Sequence, residues 1–342
     1  MQPNHFFKAS ILMLAIVIGF VACWEYYWRS RGFTVSHNDD KFIWAAKRKE
    51  VYNPQATIFI GSSRSRFDVD IATWKELAGE DAIQLAFGGT SPRPVLHNLA
   101  KDEQFKGKVI IDVAEQIFFS IDSMNAEKSA REAITYFQQE TPAQKVSAII
   151  NDALERNFVF LEEGKFGLNA LLNDITLANR PGIFVRPLFP KEFSQLSFDR
   201  QSSFTPMFLS DARLREEQLA ARTKIIATGK VMPIKGAALA AILREIKTSI
   251  DKIKSRGGMV AFIRPPSNGI SLDRENRLYP RKEYWDCLLE YTHTAGYYFT
   301  DYPEIANLIC VDESHLSPHD AVIYTSYLIN ILRTHEGWFI LK

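Results

Sequence analysis

Three places in this chain put chemically able side chains at the end of an apolar run. The run Ala56–Ile60 (ATIFI) stops at Gly61-Ser62-Ser63-Arg64-Ser65. A serine in a tight strand-to-helix turn exposes its hydroxyl, and the first backbone N–H groups of the following helix face an oxyanion. Such a turn can also do no more than cap a helix. The run Ile83–Phe87 stops at Gly88-Gly89-Thr90-Ser91-Pro92, where glycine lets a backbone N–H approach a ligand. The third place is Asp312-Glu313-Ser314-His315. A histidine three residues after an aspartate can serve as a general base, with the carboxylate setting its tautomer and stabilising the imidazolium. An aspartate here would also suit a helix N-cap. His315 and His319, with Asp312 and Asp320 nearby, have a spacing a metal could use. No third clustered His or Cys joins them, so no metal is expected.

The elements that must carry these groups alternate. Ala56–Ile60, Ile83–Phe87, Val109–Ala114 (VIIDVA) and Met259–Ile263 (MVAFI) read as short buried strands, and Tyr297–Thr300 as a weaker fifth. Residues 237–255 repeat apolar side chains at helical spacing and stop at Gly257-Gly258, as a helix end should. The stretch from about 121 to 235 reads as mainly helical. Alternating β and α implies a parallel sheet with helices on both faces, and ligands of such sheets bind beyond the carboxyl ends of the strands. The fold expected is therefore α/β, a three-layer α/β/α domain of flavodoxin-like type.

Taken together, the order of these motifs is more telling than any one of them. Ile60–Arg64 (IGSSR), Leu85–Pro92 (LAFGGTSP) and Val311–Ser317 (VDESHLS) resemble the motifs of the SGNH, or GDSL-like, hydrolase superfamily. The chain looks in particular like the membrane-anchored bacterial branch that modifies cell-surface polymers. That branch includes the D-alanine transfer protein of teichoic acids and the polysaccharide O-acetylation proteins. The resemblance covers roughly 56–116 and 259–332 and leaves the helical middle unmatched. It implies Ser63 as nucleophile, His315 as general base and Asp312 as its orienter. The N–H groups of Ser63 and Gly89 would be oxyanion donors. After the third strand the family usually has G-x-N-D, whereas this chain has Ala114-Glu115-Gln116-Ile117. Gln116 stands nearest to the missing asparagine donor. The resemblance implies an acyl esterase or O-acyltransferase acting on a cell-surface or exported polysaccharide, with no cofactor. Its partners would be an acyl donor or acylated glycan and a multi-span membrane acyltransferase. The other reading is a catalytically inactive glycan-binding or scaffold protein of the same fold.

Arg64 after the serine and Arg264 after the fourth strand are candidates to grip an anionic polymer. Arg274, Arg277 and Arg281 read as part of a polar loop. The chain has 342 residues, with Lys+Arg 41 against Asp+Glu 40, so it lacks the basic excess of a general nucleic-acid binder. Its three cysteines form no CxxC, which supports neither a zinc ribbon nor a disulfide scaffold. Residues 1–31 read as one membrane anchor: Ala9–Trp24 has Ser10 as its only polar side chain and leads into Trp24, Tyr26, Tyr27 and Trp28. A cleaved signal peptide is the alternative, and Phe20–Cys23 faintly echoes a lipoprotein cleavage site. Residues 32–55 are expected to be a linker and 56–342 the soluble domain, placed outside the cytoplasm at the inner membrane.

Overall fold

The computed structural model describes residues 3–120, 126–173, 189–228 and 232–338. Its centre is a five-stranded parallel sheet built from β1 (Ala56–Ile60), β2 (Asp81–Gln84), β3 (Lys108–Asp112), β6 (Met259–Arg264) and β7 (Gly296–Tyr298). A separate antiparallel pair, β4 (Ser194–Leu196) and β5 (Ser202–Phe204), was not expected from the sequence. The main sheet runs in the order β2-β1-β3-β6-β7. Every residue of β1 is buried, so both faces of the sheet are covered. That is why these strands read as unbroken apolar runs, with no alternation of polar and apolar positions.

The order places a switch between β1 and β3. From β1 the chain first moves outward to β2, then returns to the other side of β1 for β3. Connections leaving β1 and β3 diverge, and a crevice opens beyond their carboxyl ends. The serine turn follows β1 and the Glu115–Phe118 helix follows β3, so both stand at that crevice.

Two expectations are corrected. The segment 32–55 is no mere linker: Lys41–Glu50 is a helix whose Trp44 is fully buried and donates its indole N–H to the Leu85 carbonyl at 3.0 Å. The polar stretch holding Arg274 and Arg277 is the helix Gly269–Leu278, not a loop. Strand ends differ by a few residues, β2 lying earlier than expected at Asp81–Gln84.

The chain divides into two compact units, Met1–Asn38 with Pro142–Arg186, and Asp39–Thr141 with Pro187–Lys342. The second holds the sheet. The first holds the Pro3–Ser30 helix, within which His5–Ser30 is, among the described residues, the one helix long and apolar enough to cross a membrane.

Candidate active site

The serine turn is shaped by a carboxylate at the end of the neighbouring strand. Asp112 closes β3 and is fully buried. It accepts from the Ser62 amide at 2.9 Å, the Ser62 hydroxyl at 2.8 Å and the Ser65 amide at 3.3 Å. Gly61 is required by close approach: a Cβ there would lie 2.5 Å from the Asp112 Cβ and 2.9 Å from that of Ser65. Ser62 turns inward and caps the Ser63–Asp68 helix through the Arg64 amide. Ser63, next in sequence, is only half-buried and points the other way. One serine is thus structural and the other is presented.

Ser63 meets His315. The imidazole Nε2 lies 2.8 Å from the Ser63 hydroxyl oxygen, across 252 residues of sequence. The other ring nitrogen, Nδ1, lies 2.9 Å and 3.1 Å from the two carboxylate oxygens of Asp312. A carboxylate can only accept, so Nδ1 carries the hydrogen and Nε2 offers its lone pair to the hydroxyl. Asp312 also accepts from the amides of Ser314 at 3.2 Å and His315 at 2.9 Å, which closes the loop on itself. Burial alone would raise the Asp312 carboxyl, but the His315 imidazole beside it and Arg222 hold it down at about 2. It therefore stays ionised above its ordinary value of 3.8 and well below it.

Several residues of this site gave little sign of themselves in the sequence. Gln218 and Arg222, on the Ala212–Thr228 helix, donate to the outer oxygen of Asp312 at 3.1 Å and 3.3 Å. Phe67 lies against the His315 ring with centroids 4.4 Å apart, and Phe204 meets it edge-on at 6.4 Å. Phe67 and Phe204 pack with Phe193, Phe208 and Leu214 in a cluster separate from the main core. The unmatched middle of the chain thus supplies both polar support for Asp312 and an apolar wall for His315. A dry wall strengthens the hydrogen bonds it shields. Glu313 sits at φ 68°, a left-handed conformation that costs a non-glycine residue about 1 kcal/mol or more. Its carboxylate accepts from the Ser271 amide and hydroxyl at 3.2 Å and 3.1 Å, which fastens the loop to the Gly269–Leu278 helix. Asp112 alone left a visible signal, a charge inside the apolar run VIIDVA.

The Ser63 and Gly89 amides donate to no acceptor among the described residues. Gly89 has φ +63° and nothing within 4 Å of where its Cβ would be, so its backbone faces open space. Gln116 lies on the short helix after β3, half-buried, with its side-chain amide bonded to no described residue.

Arg64 and Arg264 have a use other than the expected grip on substrate. Both guanidinium groups are enclosed, 3% and 0% exposed. Arg264 donates to Glu115 at 3.0 Å, to Glu275 at 2.5 Å and to Ser267 at 2.7 Å. Arg64 pairs with the other oxygen of Glu275 and donates to Ser314 at 3.2 Å. Glu275 thus bridges two buried cations, one adjoining Ser63 and one at the end of β6. Burial would raise its carboxyl, but Arg64 and Arg264 together hold it down at about 2. A depressed carboxylate contributes stability that is present above its ordinary value near 4.5 and lost as pH falls through about 2. Glu275→Ala takes from buried Arg64 its carboxylate partner and from Arg264 one of two, and is expected to cost about 3–5 kcal/mol at neutral pH. The gap between variant and parent should narrow only as pH drops from about 4.5 towards about 2, read by denaturant unfolding at a series of pH values. A gap that is already small at neutral pH would refute the bridging role.

His319 is exposed at the start of the Pro318–Glu336 helix, and Asp320 is occupied by Ser317. Among the described residues no three His, Cys, Asp or Glu side chains gather as metal ligands. All three cysteines are free, so Cys287 and Cys310 do not pair.

Chemically, the arrangement can activate a hydroxyl. Nε2 can take the Ser63 proton as the oxygen attacks an electrophilic carbon, and Asp312 can stabilise the imidazolium formed. The unengaged amide of Ser63, at the nucleophile itself, can receive the charge on the former carbonyl oxygen. No protein-family model matches the chain, and comparison with curated proteins finds no relative.

Proposed function

We propose that this chain is a serine acyl esterase or O-acyltransferase of SGNH type. The observation that carries the reading is the Ser63–His315–Asp312 relay, with 2.8 Å and 2.9 Å contacts between a presented hydroxyl, an imidazole and a buried carboxylate. In the first half-reaction Ser63 Oγ attacks the acyl carbonyl and gives its proton to Nε2. The leaving oxygen takes that proton as the tetrahedral intermediate collapses to an acyl-enzyme. In the second half, water or a sugar hydroxyl gives its proton to Nε2 and attacks the acyl-enzyme; the bond from the acyl carbon to Ser63 Oγ breaks, and Oγ takes the proton back from Nε2 as the acid or new ester leaves. The strand order, 2-1-3 followed by two more parallel strands, suits a three-layer flavodoxin-like domain of the SGNH kind.

The resemblance in motif order favours an extracytoplasmic acceptor, a cell-surface or exported polysaccharide. The apolar N-terminal helix tethers the domain at the cytoplasmic membrane, beside a multi-span acyltransferase that supplies the acyl group. The second reading, an inactive glycan-binding protein, draws on Gln116 standing where the family has its asparagine donor. The relay speaks against it, since a binding protein has no use for an activated hydroxyl.

A fluorophosphonate probe applied to the full chain in detergent separates the two. Labelling is expected in the parent and in Ser62→Ala, and absent in Ser63→Ala. Ser62 faces Asp112, so its loss should cost only about 1 kcal/mol of capping stability. An unlabelled parent protein would sink the catalytic reading. Topology is tested by fusing alkaline phosphatase after Lys342, where activity is expected. An inactive fusion with a working cytoplasmic reporter would move the domain to the other side.

A further inference from the structure

The helix Pro142–Glu155 is built inside out. Its one buried residue is charged: Glu155, at its carboxyl end, is 2% exposed and accepts from the Asn38 amide at 3.2 Å, the Asn38 side chain at 2.9 Å and Asn151 of the same helix at 2.5 Å. Its outward face carries Val146, Ile149, Ile150 and Leu154, exposed by 58%, 70%, 56% and 43%. Their spacing puts all four on one stripe of the helix. In water this stripe would seek cover, yet no described residue of its own unit covers it.

Its height relative to a bilayer follows from how its end is tied. Just beyond this helix, the Val159 amide donates to both oxygens of Glu25, at 2.9 Å and 3.1 Å. Arg29 donates to the Asn157 carbonyl at 3.0 Å. Glu25 and Arg29 lie at the end of the span candidate His5–Ser30, among Trp24, Tyr27 and Trp28, with Trp24 stacked on Tyr27 and Trp28 edge-on to both. Aromatic clusters at the end of a spanning helix sit at headgroup level. The carboxyl end of Pro142–Glu155 is therefore held at that level too.

We propose that Pro142–Glu155 is an interfacial helix, lying on the bilayer with Val146, Ile149, Ile150 and Leu154 in the acyl boundary. The occupant of the stripe is lipid, not protein. The stripe is purely aliphatic, without the aromatic and arginine anchors that concentrate energy in protein interfaces. It is also continuous, through Glu25 and Arg29, with the one segment among the described residues suited to a hydrocarbon core. Leu168 and Leu172 of the same unit, 73% and 52% exposed, add a second aliphatic surface. The inference rests on the N-terminal helix crossing the bilayer and is independent of any catalytic reading.

The test uses the full chain reconstituted in phosphatidylcholine vesicles. An environment-sensitive fluorophore is attached at Ile149→Cys, Ile150→Cys or, as control, Lys145→Cys, with Cys23→Ser and Cys287→Ser removing the accessible thiols. Cys310 is buried. Protein labelled at Cys23 alone checks the anchor. Labels at positions 149, 150 and 23 should emit blue-shifted light and lose most of it when the lipids carry acyl-chain bromines. The label at 145 should instead be quenched by aqueous iodide. Lipid quenching at 23 but iodide quenching at 149 and 150 would overturn the interfacial helix while leaving the anchor. Labels at 149 and 150 shielded from both quenchers would overturn it in favour of a protein partner or a second copy. A label at 23 open to iodide would remove the anchor on which the inference stands.

Discussion

Replacing Ser63 or His315 by alanine is expected to lower turnover of a simple aryl ester by about 10⁴–10⁶-fold, the range seen when a member of such a relay is deleted. The two groups act through one 2.8 Å contact, so the losses should not add. The double variant is expected to be no slower than the worse single one. Both variants should stay folded. Ser63 is half-buried in a turn held by Asp112, Ser62 and Ser65, none of which uses its hydroxyl. His315 is more embedded, but its backbone amide keeps its bond to Asp312 when the ring is gone. Circular dichroism beside the kinetics separates folding from chemistry. Turnover of His315→Ala within about tenfold of the parent would remove the histidine from the mechanism, since general base catalysis alone contributes more than that.

The second large effect is expected at Asp312. The loop Asp312–His315 is short, and local backbone geometry by itself would hold part of the imidazole's orientation. The tertiary surroundings make the carboxylate harder to replace. One oxygen accepts the amides of Ser314 and His315, and the other accepts Gln218, Arg222 and Nδ1. Asparagine can satisfy only one side. With its NH₂ on the outer side, it faces three donors and forces the imidazole hydrogen onto Nε2, where the ring can no longer take the Ser63 proton. With its NH₂ on the inner side, it opposes two backbone amides. A loss in turnover on the order of 10⁴-fold is expected for Asp312→Asn, with lower thermal stability because Arg222 loses its counter-charge. Arg222→Ala keeps the tautomer and should be much milder. Because Asp312 is held at about 2, its contribution is complete above its ordinary value of 3.8 and fades only as pH falls through about 2. An acid limb in the parent's pH–rate profile well above that region therefore belongs to other groups. Near-parental turnover of Asp312→Asn across the profile would show that the carboxylate neither sets the tautomer nor stabilises the ring.

Periodicity and chain order were enough to read the α/β class, the five strands of the parallel sheet, and the positions of Ser63 and Gly89 beyond strand ends and of Asp312 and His315 in one loop before the last helix. The reason is local. A buried parallel strand is an apolar run whichever strands flank it, and turn chemistry is written in glycine and serine. What faces what was not local. That Ser62 turns in and Ser63 out depends on Asp112, which only strand pairing brings beside the turn. That Arg64 and Arg264 are spent on Glu275 depends on a helix that reads as a loop, because its polar residues hide its period. The helix Lys41–Glu50 escaped notice for a similar reason, since its one large anchor, Trp44, finds its partner 41 residues away. Gln218, Arg222 and Phe204 carry no motif at all. They belong to the site only because folding lays the middle of the chain over a histidine near its end. A side chain's type and spacing say what chemistry it can do, while partners distant in sequence decide whether its charge is free to do it.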